Sequence, residues 1–242
     1  MSALQGRRIL VSGAGSGIGR AAARLFKDRG AELVLVGRCL TRLQETLPDA
    51  IHVVLNHSDD AAVAAFAREC PDLDGMFLNA GSLVLGSVES TPIADFDTAI
   101  ATNLRGPWLM AHHLGCRLKD GGSVVLVGSN IGLRAIPDSA AYCVAKAGVH
   151  MLAKVLALEW APRRIRCNAI APGPIRTAMV EARLAASVDS EGDLAQLSAV
   201  NPLMRLGTEA EVAALAAHLL GSESGWTTGA VIPIDGGADA VY

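Results

Sequence analysis

The runs Leu33-Val34-Leu35-Val36 and Val124-Val125-Leu126-Val127 place no polar residue at alternate positions. A strand with one face in water alternates; one that does not is covered on both faces, and doubly covered sheets are built from parallel strands joined by helices. The rest of the chain repeats the theme. Short apolar segments near 8–12, 32–37, 51–55, 74–79, 122–128, 164–170 and 230–234 are separated by stretches of helical character near 18–29, 40–46, 59–69, 93–118, 139–160, 177–186 and 208–220. The pattern predicts an α/β chain with seven parallel strands. With 242 residues, no internal repeat and no low-complexity linker, it reads as one domain, 1–242.

Ligands of such sheets gather beyond the carboxyl ends of the strands. The first strand, Arg8 to Val11, runs straight into Ser12-Gly13-Ala14-Gly15-Ser16-Gly17-Ile18-Gly19, and a helix follows from Arg20. Glycines there let the backbone turn tightly and approach a ligand closely. The unpaired N–H groups and positive dipole end of the helix attract a pyrophosphate. This predicts a Rossmann-type, doubly wound sheet that binds a dinucleotide. Gly37-Arg38, Asn56-His57, Asn79-Ala80-Gly81, Ser129 and Pro172-Gly173 fall at other strand ends.

Composition removes several classes. A net charge of -3 and a pI near 6.1 give no electrostatic argument for nucleic acid, and Arg7-Arg8 and Arg163-Arg164 are too short for a binding stripe. No apolar run reaches the roughly 18 residues of a membrane span. The first strand follows Ser2-Ala3-Leu4-Gln5 without a cleavable apolar segment, so the expectation is a cytoplasmic protein. Five cysteines, at 39, 70, 116, 143 and 167, form no C-x-x-C pair and read as reduced thiols. His112 and His113 diverge on a helix, so no metal is implied. G-x-S-x-G is absent.

Tyr142 and Lys146 stand four apart in a helical stretch, with Ser129 thirteen residues upstream. The spacing puts phenol and ammonium on one face, one turn apart. A buried ammonium stabilises a phenolate, and on that argument the tyrosine pKa falls from ~10 toward the range of neutral-pH proton exchange.

Taken together, Ser12-Gly13-x-x-x-Gly17-Ile18-Gly19, Asn79-Ala80-Gly81, Asn103-x-x-Gly106, Ser129, Tyr142-x-x-x-Lys146, Pro172-Gly173 and Asp235-Gly236-Gly237 resemble the short-chain dehydrogenases/reductases, in their single-domain branch. The resemblance runs from residue 6 to 237 and implies an NAD(P)-dependent oxidoreductase acting on a small carbonyl or alcohol. It implies that Ser129 orients the carbonyl and Tyr142 transfers a proton. Lys146 would lower the tyrosine pKa and bond the nicotinamide ribose, and Asn103 would hold a relay water. Cofactor contacts would come from Ser12, Gly13, Gly15, Ser16, Gly17, Ile18, Gly19, Gly37, Arg38, Asn56, His57, Asn79, Ala80, Gly81, Tyr142, Lys146, Pro172, Gly173, Ile175 and Thr177.

Gly37 stands where NAD-dependent relatives carry aspartate and Arg38 where NADP-dependent ones carry arginine, which favours NADP over NAD; Ser16 adds no second charge. Asn56 replaces an aspartate that bonds the adenine amine, a bond its amide oxygen could still accept, with His57 offering its backbone N–H. Leu78 and Ser12 depart from the usual asparagine and threonine. The resemblance further implies a homotetramer built through the two long helices, 93–118 and 139–160, and a substrate lid at about 176–205. The polar run Val188 to Asp193 reads there as an opening loop. The reading is an NADPH-dependent ketone or oxoacyl-type reductase. The alternative is an NAD-dependent alcohol or polyol dehydrogenase, and a non-catalytic dinucleotide sensor ranks below both.

Overall fold

A computed structural model describes residues 4–241, the side chains of Met179 and Arg183 excepted. The segment Ser2-Ala3 lies outside the described residues. Nine strands are found among them: β1 (Arg8–Ser12), β2 (Glu32–Gly37), β3 (Ile51–Val54), β4 (Leu73–Leu78), β5 (Leu118–Val127), β6 (Arg166–Pro172), β7 (Ile175–Arg176), β8 (Gly207–Thr208) and β9 (Val231–Ile234). Seven of them form one sheet in the order β3-β2-β1-β4-β5-β6-β9, every pairing parallel.

Alternate side chains along each strand point to opposite faces, and both faces are dry. Leu10, Val34, Met76 and Val124 pack on one side with Met110, Val149 and Leu156. Ile9, Val11, Leu35, Phe77 and Val125 pack on the other with Ala22, Phe26, Val212 and Ala216. The first layer is supplied by α3 (Asp60–Glu69), α5 (Gly106–Leu114) and α6 (Ala140–Glu159); the second by α1 (Gly17–Asp28) and α9 (Glu209–Leu220). This is why the β2 and β5 runs carry no polar alternation. Strand order reverses between β1 and β4, so a crevice opens at their carboxyl ends.

The single helix expected over 93–118 is broken. Ile93–Ile100 (α4) gives way to a π-turn, Ala101–Arg105, in which the Gly106 N–H reaches five residues back to Ala101; α5 and a short 3-10 turn follow, and β5 begins at Leu118. Pro107 has no N–H to give Asn103, so the ordinary ladder lacks a rung there.

The segment from Arg176 to Arg205 leaves the sheet as two helices, α7 (Ala178–Ala185) and α8 (Ser190–Ala199). The polar run expected to be a loop therefore starts a helix. Asp189 caps it by accepting the Gly192 N–H at 2.9 Å, and Glu191 and Asp193 sit in its first turn where the dipole favours negative charge. At the base, β7 pairs with β8, and Arg205 bonds Glu211 at 2.6 Å.

Candidate active site

Two glycines and an asparagine interlock at the β1 end. Gly13 has φ +67°, and a Cβ on it would lie 2.9 Å from Ala80 Cα and Asn79 Nδ2. A Cβ on Gly19 would lie 2.2 Å from the Gly13 carbonyl oxygen. Both are closer than any side chain tolerates, so loop, helix and β4 end meet only because these residues are glycine. Asn79 Nδ2 donates to the Ser12 carbonyl at 3.2 Å, and the Ser12 hydroxyl accepts the Asn79 and Ala80 N–H groups at 3.0 and 3.1 Å. Gly17, with φ +55°, instead faces open space, its nearest neighbours being Glu209 Oε1 and Thr177 Cγ2 at 3.7 and 4.0 Å from a notional Cβ. Ser16 precedes α1 in extended conformation and its hydroxyl caps nothing. The first N–H groups of α1 thus point at a cradle, which fits a pyrophosphate.

Two exposed arginines stand one turn apart beyond β2. Arg38 follows the strand, and Arg42 in α2 (Leu40–Thr46) lies with its Cβ 3.1 Å from a notional Cβ on Gly15. Arg42 is a cation near the loop that sequence reading passed over; an i, i+4 count from Arg38 finds it. A side chain at Gly37 would meet Leu43 at 3.0 Å, which leaves no room for a carboxylate unless Leu43 moves.

The Asn56 amide oxygen already accepts two bonds from Ser58, at 3.2 and 2.8 Å. The adenine bond expected of that oxygen would have to displace one of them. The His57 side chain is buried against Gly106, where a Cβ would come 2.7 Å from the ring, and it lies beside the Thr102 backbone in the π-turn. Burial first, then Lys146 and Arg38, lower its pKa to about 4, so the ring is neutral at neutral pH.

At the β5 end, Ser129 is buried and Tyr142 and Lys146 face it from α6. The Ser129 hydroxyl lies beside the Tyr142 phenol and donates to the Pro172 carbonyl at 3.4 Å. Lys146 Nζ sits 5.4 Å from the Tyr142 ring centroid and donates to the Val127 carbonyl at 2.8 Å. The expected depression of the tyrosine pKa is reversed. Burial pushes the phenol up to about 12, against a smaller opposing influence of the neighbouring Ser129 hydroxyl, and drives the Lys146 ammonium down to about 8. Both groups lose more by leaving water than their charged forms would regain from each other, because the ammonium is aimed at a carbonyl.

Asn103 is 1% exposed and its side chain is spent: Nδ2 donates to the Ser82 and Ala99 carbonyls at 2.9 and 3.0 Å, and Oδ1 accepts the Ser82 N–H at 3.1 Å. A Cβ on Gly81 would lie 2.8 Å from Asn103 Oδ1 and 3.5 Å from Lys146 Nζ, which brings the β4 end, the π-turn and α6 together. A Cβ on Gly173 would lie 2.8 Å from Asp235 Cβ, so the β6 and β9 ends meet closely there. Ile175 is buried in β7, and the Thr177 hydroxyl caps α7 through the Val180 N–H at 3.4 Å.

In the turn after Ser129, Asn130 is buried, and farther along Ile136 is exposed. His150, four residues beyond Lys146, was not singled out by sequence, yet its ring lies against the Ser129 backbone. A continued four-residue spacing after Tyr142 and Lys146 was the available signal. Among the described residues no cluster of His, Cys, Asp and Glu could hold a metal. One helix, α6, is long and apolar enough to cross a membrane by length and composition, but half of it is buried in the protein and it carries Tyr142 and Lys146.

Residues 13–239 match the family model described as enoyl-(acyl carrier protein) reductase. The chain is 37% identical to levodione reductase of Leifsonia aquatica over 98% of its own length and 95% of that protein. It is 32% identical to tetrahydroxynaphthalene reductase of Pyricularia oryzae, over 98% and 91%. A crystal structure of levodione reductase superposes with a TM-score of 0.91 at 35% identity, covering 99% of this chain and 100% of the other.

Proposed function

The chain belongs to the short-chain dehydrogenase/reductase family, and on that premise we propose that it reduces a ketone to a secondary alcohol with NADPH, the reverse reaction using the same groups. The observation that carries this reading is the convergence of Ser129, Tyr142 and Lys146 at the end of β5, with Lys146 Nζ 5.4 Å from the Tyr142 ring centroid. The bound cofactor supplies the hydride. The Ser129 hydroxyl, turned from the Pro172 carbonyl, donates to the substrate carbonyl oxygen and fixes its position. Tyr142 then gives that oxygen its proton as negative charge develops, where a donor lowers the barrier most. A phenol with a pKa near 12 keeps its proton throughout the neutral range, which suits donation in the reductive direction. Lys146, with a pKa near 8, is charged at pH 7, stabilises the phenolate left once Tyr142 has given up its proton, and presents its ammonium to the ribose. Pro107 denies the Asn103 carbonyl its helical donor, so the relay water sits on that main-chain oxygen rather than on the spent side chain.

The preference for NADP rests on Arg38 and Arg42 as two exposed cations for a 2'-phosphate, and on Leu43 occupying the space an aspartate at Gly37 would need. An NAD-dependent alcohol or polyol dehydrogenase is the second reading, favoured by the reversibility of the same chemistry. The excursion Arg176–Arg205 serves as the lid. The protein works in the cytoplasm as a homotetramer. Val144, Met151 and Leu158 line up at seven-residue spacing on the outer face of α6 and are exposed in the single chain, as are Ile93, Phe96 and Trp108 beside them.

A panel of ketones and alcohols assayed with both cofactors, following absorbance of the reduced nicotinamide, tests the activity. Tyr142→Phe should lower kcat by 10²–10⁴-fold, the range for losing a general acid, and leave cofactor affinity within about twofold; wild-type turnover in that variant refutes the mechanism.

A further inference from the structure

We propose that His150 is a positioning residue for the reaction: its neutral imidazole accepts the Ser129 backbone N–H and so sets where the Ser129 hydroxyl meets the substrate carbonyl. The inference rests on the reductase reading above.

The backbone entering the site has its polar groups assigned one after another. The Val127 carbonyl takes Lys146 Nζ at 2.8 Å, the Gly128 N–H goes to the Ile170 carbonyl at 2.8 Å, and the Ser129 N–H points to His150 Nε2 at 3.4 Å. Lys146 and His150 are one turn apart on α6, so the helix that carries the proton donor also holds the strand end that carries the serine. Removing the ring would leave a buried N–H without a partner, and such a group turns its peptide toward another acceptor or water.

The loop is shaped to that ring. A Cβ on Gly128 would lie 2.1 Å from His150 Nε2, and one on Gly132 would lie 2.8 Å from Cε1. Glycine at both ends of Gly128-Ser129-Asn130-Ile131-Gly132 therefore leaves space for an imidazole, 5% exposed, in the mouth of the turn. The turn closes on itself through the Gly132 N–H to the Ser129 carbonyl at 3.0 Å. Because the Ser129 nitrogen is a donor, Nε2 has to be the unprotonated nitrogen, which fixes the proton on Nδ1. Burial, the largest influence on the ring, keeps it uncharged at neutral pH. The Ser129 hydroxyl has only the 3.4 Å Pro172 carbonyl and Tyr142 to orient it, so its place depends on the backbone behind it.

The test compares His150→Leu, which fills the space without an acceptor, with His150→Gln, whose Oε1 reaches the place of Nε2. In ¹⁵N-labelled wild type the His150 Nε2 should resonate as an unprotonated nitrogen and show hydrogen-bond coupling to the Ser129 amide. Kinetically, His150→Leu should lose about 10- to 100-fold in kcat, the scale of a sub-ångström to ångström misplacement of a reacting group, with cofactor Kd unchanged. His150→Gln should recover most of that loss, and in a Ser129→Ala background His150→Leu should cost nothing further. Losses that add in the double variant, equal losses in Leu and Gln, or a protonated Nε2 would each overturn the proposal. A wild type that turns over no carbonyl or alcohol would count against the reductase reading alone, and the nitrogen resonances would still decide the bond.

Discussion

Lys146→Met should make the protein more stable and inactive. The ammonium is 3% exposed and its pKa falls from 10.5 to about 8 with burial as the cause. At ~1.4 kcal/mol per pKa unit, holding it charged in the fold costs about 3 kcal/mol. Methionine fills the same channel without charge, while the Val127 carbonyl loses its donor, worth about 1 kcal/mol. The variant should therefore gain about 2 kcal/mol at pH 7. The sign of the pH dependence follows from which state binds more protons. Below pH 8 the lysine is charged folded and unfolded, and the penalty is complete. Between pH 8 and 10.5 the unfolded chain binds the proton and the folded one releases it, so wild-type stability rises relative to the variant and the advantage fades. Urea unfolding of both proteins at pH 7 and at pH 10 measures this directly, each at fixed protein concentration. A variant less stable at pH 7, or a difference that does not shrink by pH 10, refutes the assignment of a charged, desolvated Lys146.

Arg38→Asp should move the ratio of kcat/KM for NADPH over NADH toward NADH by tenfold or more, since a carboxylate repels a 2'-phosphate and can accept the ribose hydroxyl; an unchanged ratio removes Arg38 from the phosphate site. Leu158→Glu, at 78% exposure on the α6 outer face, should lower the oligomeric mass measured by light scattering while leaving the far-UV spectrum intact; an unaltered mass refutes that face as the assembly surface.

The sheet was legible because its physics is local. Each run such as Leu33 to Val36 reports its own two-sided burial, and all seven strands of the large sheet lie within a few residues of their expected places. The glycine turn was legible for the same reason: strand, turn and helix start are contiguous. What depended on distant partners was not. The break at Ala101–Arg105 sits where Pro107 removes a helical donor and Gly106 leaves space for the His57 ring, a neighbour that the local sequence does not announce. The start of α8 depends on Asp189 accepting the Gly192 N–H, whereas the acidic composition of Val188 to Asp193 by itself reads as a loop. The tyrosine pKa went the other way because spacing reveals that Lys146 faces Tyr142, whereas the depth of both and the direction of Nζ toward Val127 are properties of the assembled core.

The two-residue ladder between Ile175–Arg176 and Gly207–Thr208 fastens both feet of the two-helix excursion to the body of the protein. Leu203 and Asn201 add a second fastening at the returning foot, the former through the Gly236 carbonyl at 3.3 Å. A span tied at its feet transmits little of what happens in its middle. Insertions, deletions or wholesale replacement between Ala178 and Ala199 are thereby insulated from the glycine loop and from Ser129, so, on the proposal that this stretch is the substrate lid, it is the part of the chain that selection, or an engineer, can exchange to change the substrate without disturbing the chemistry.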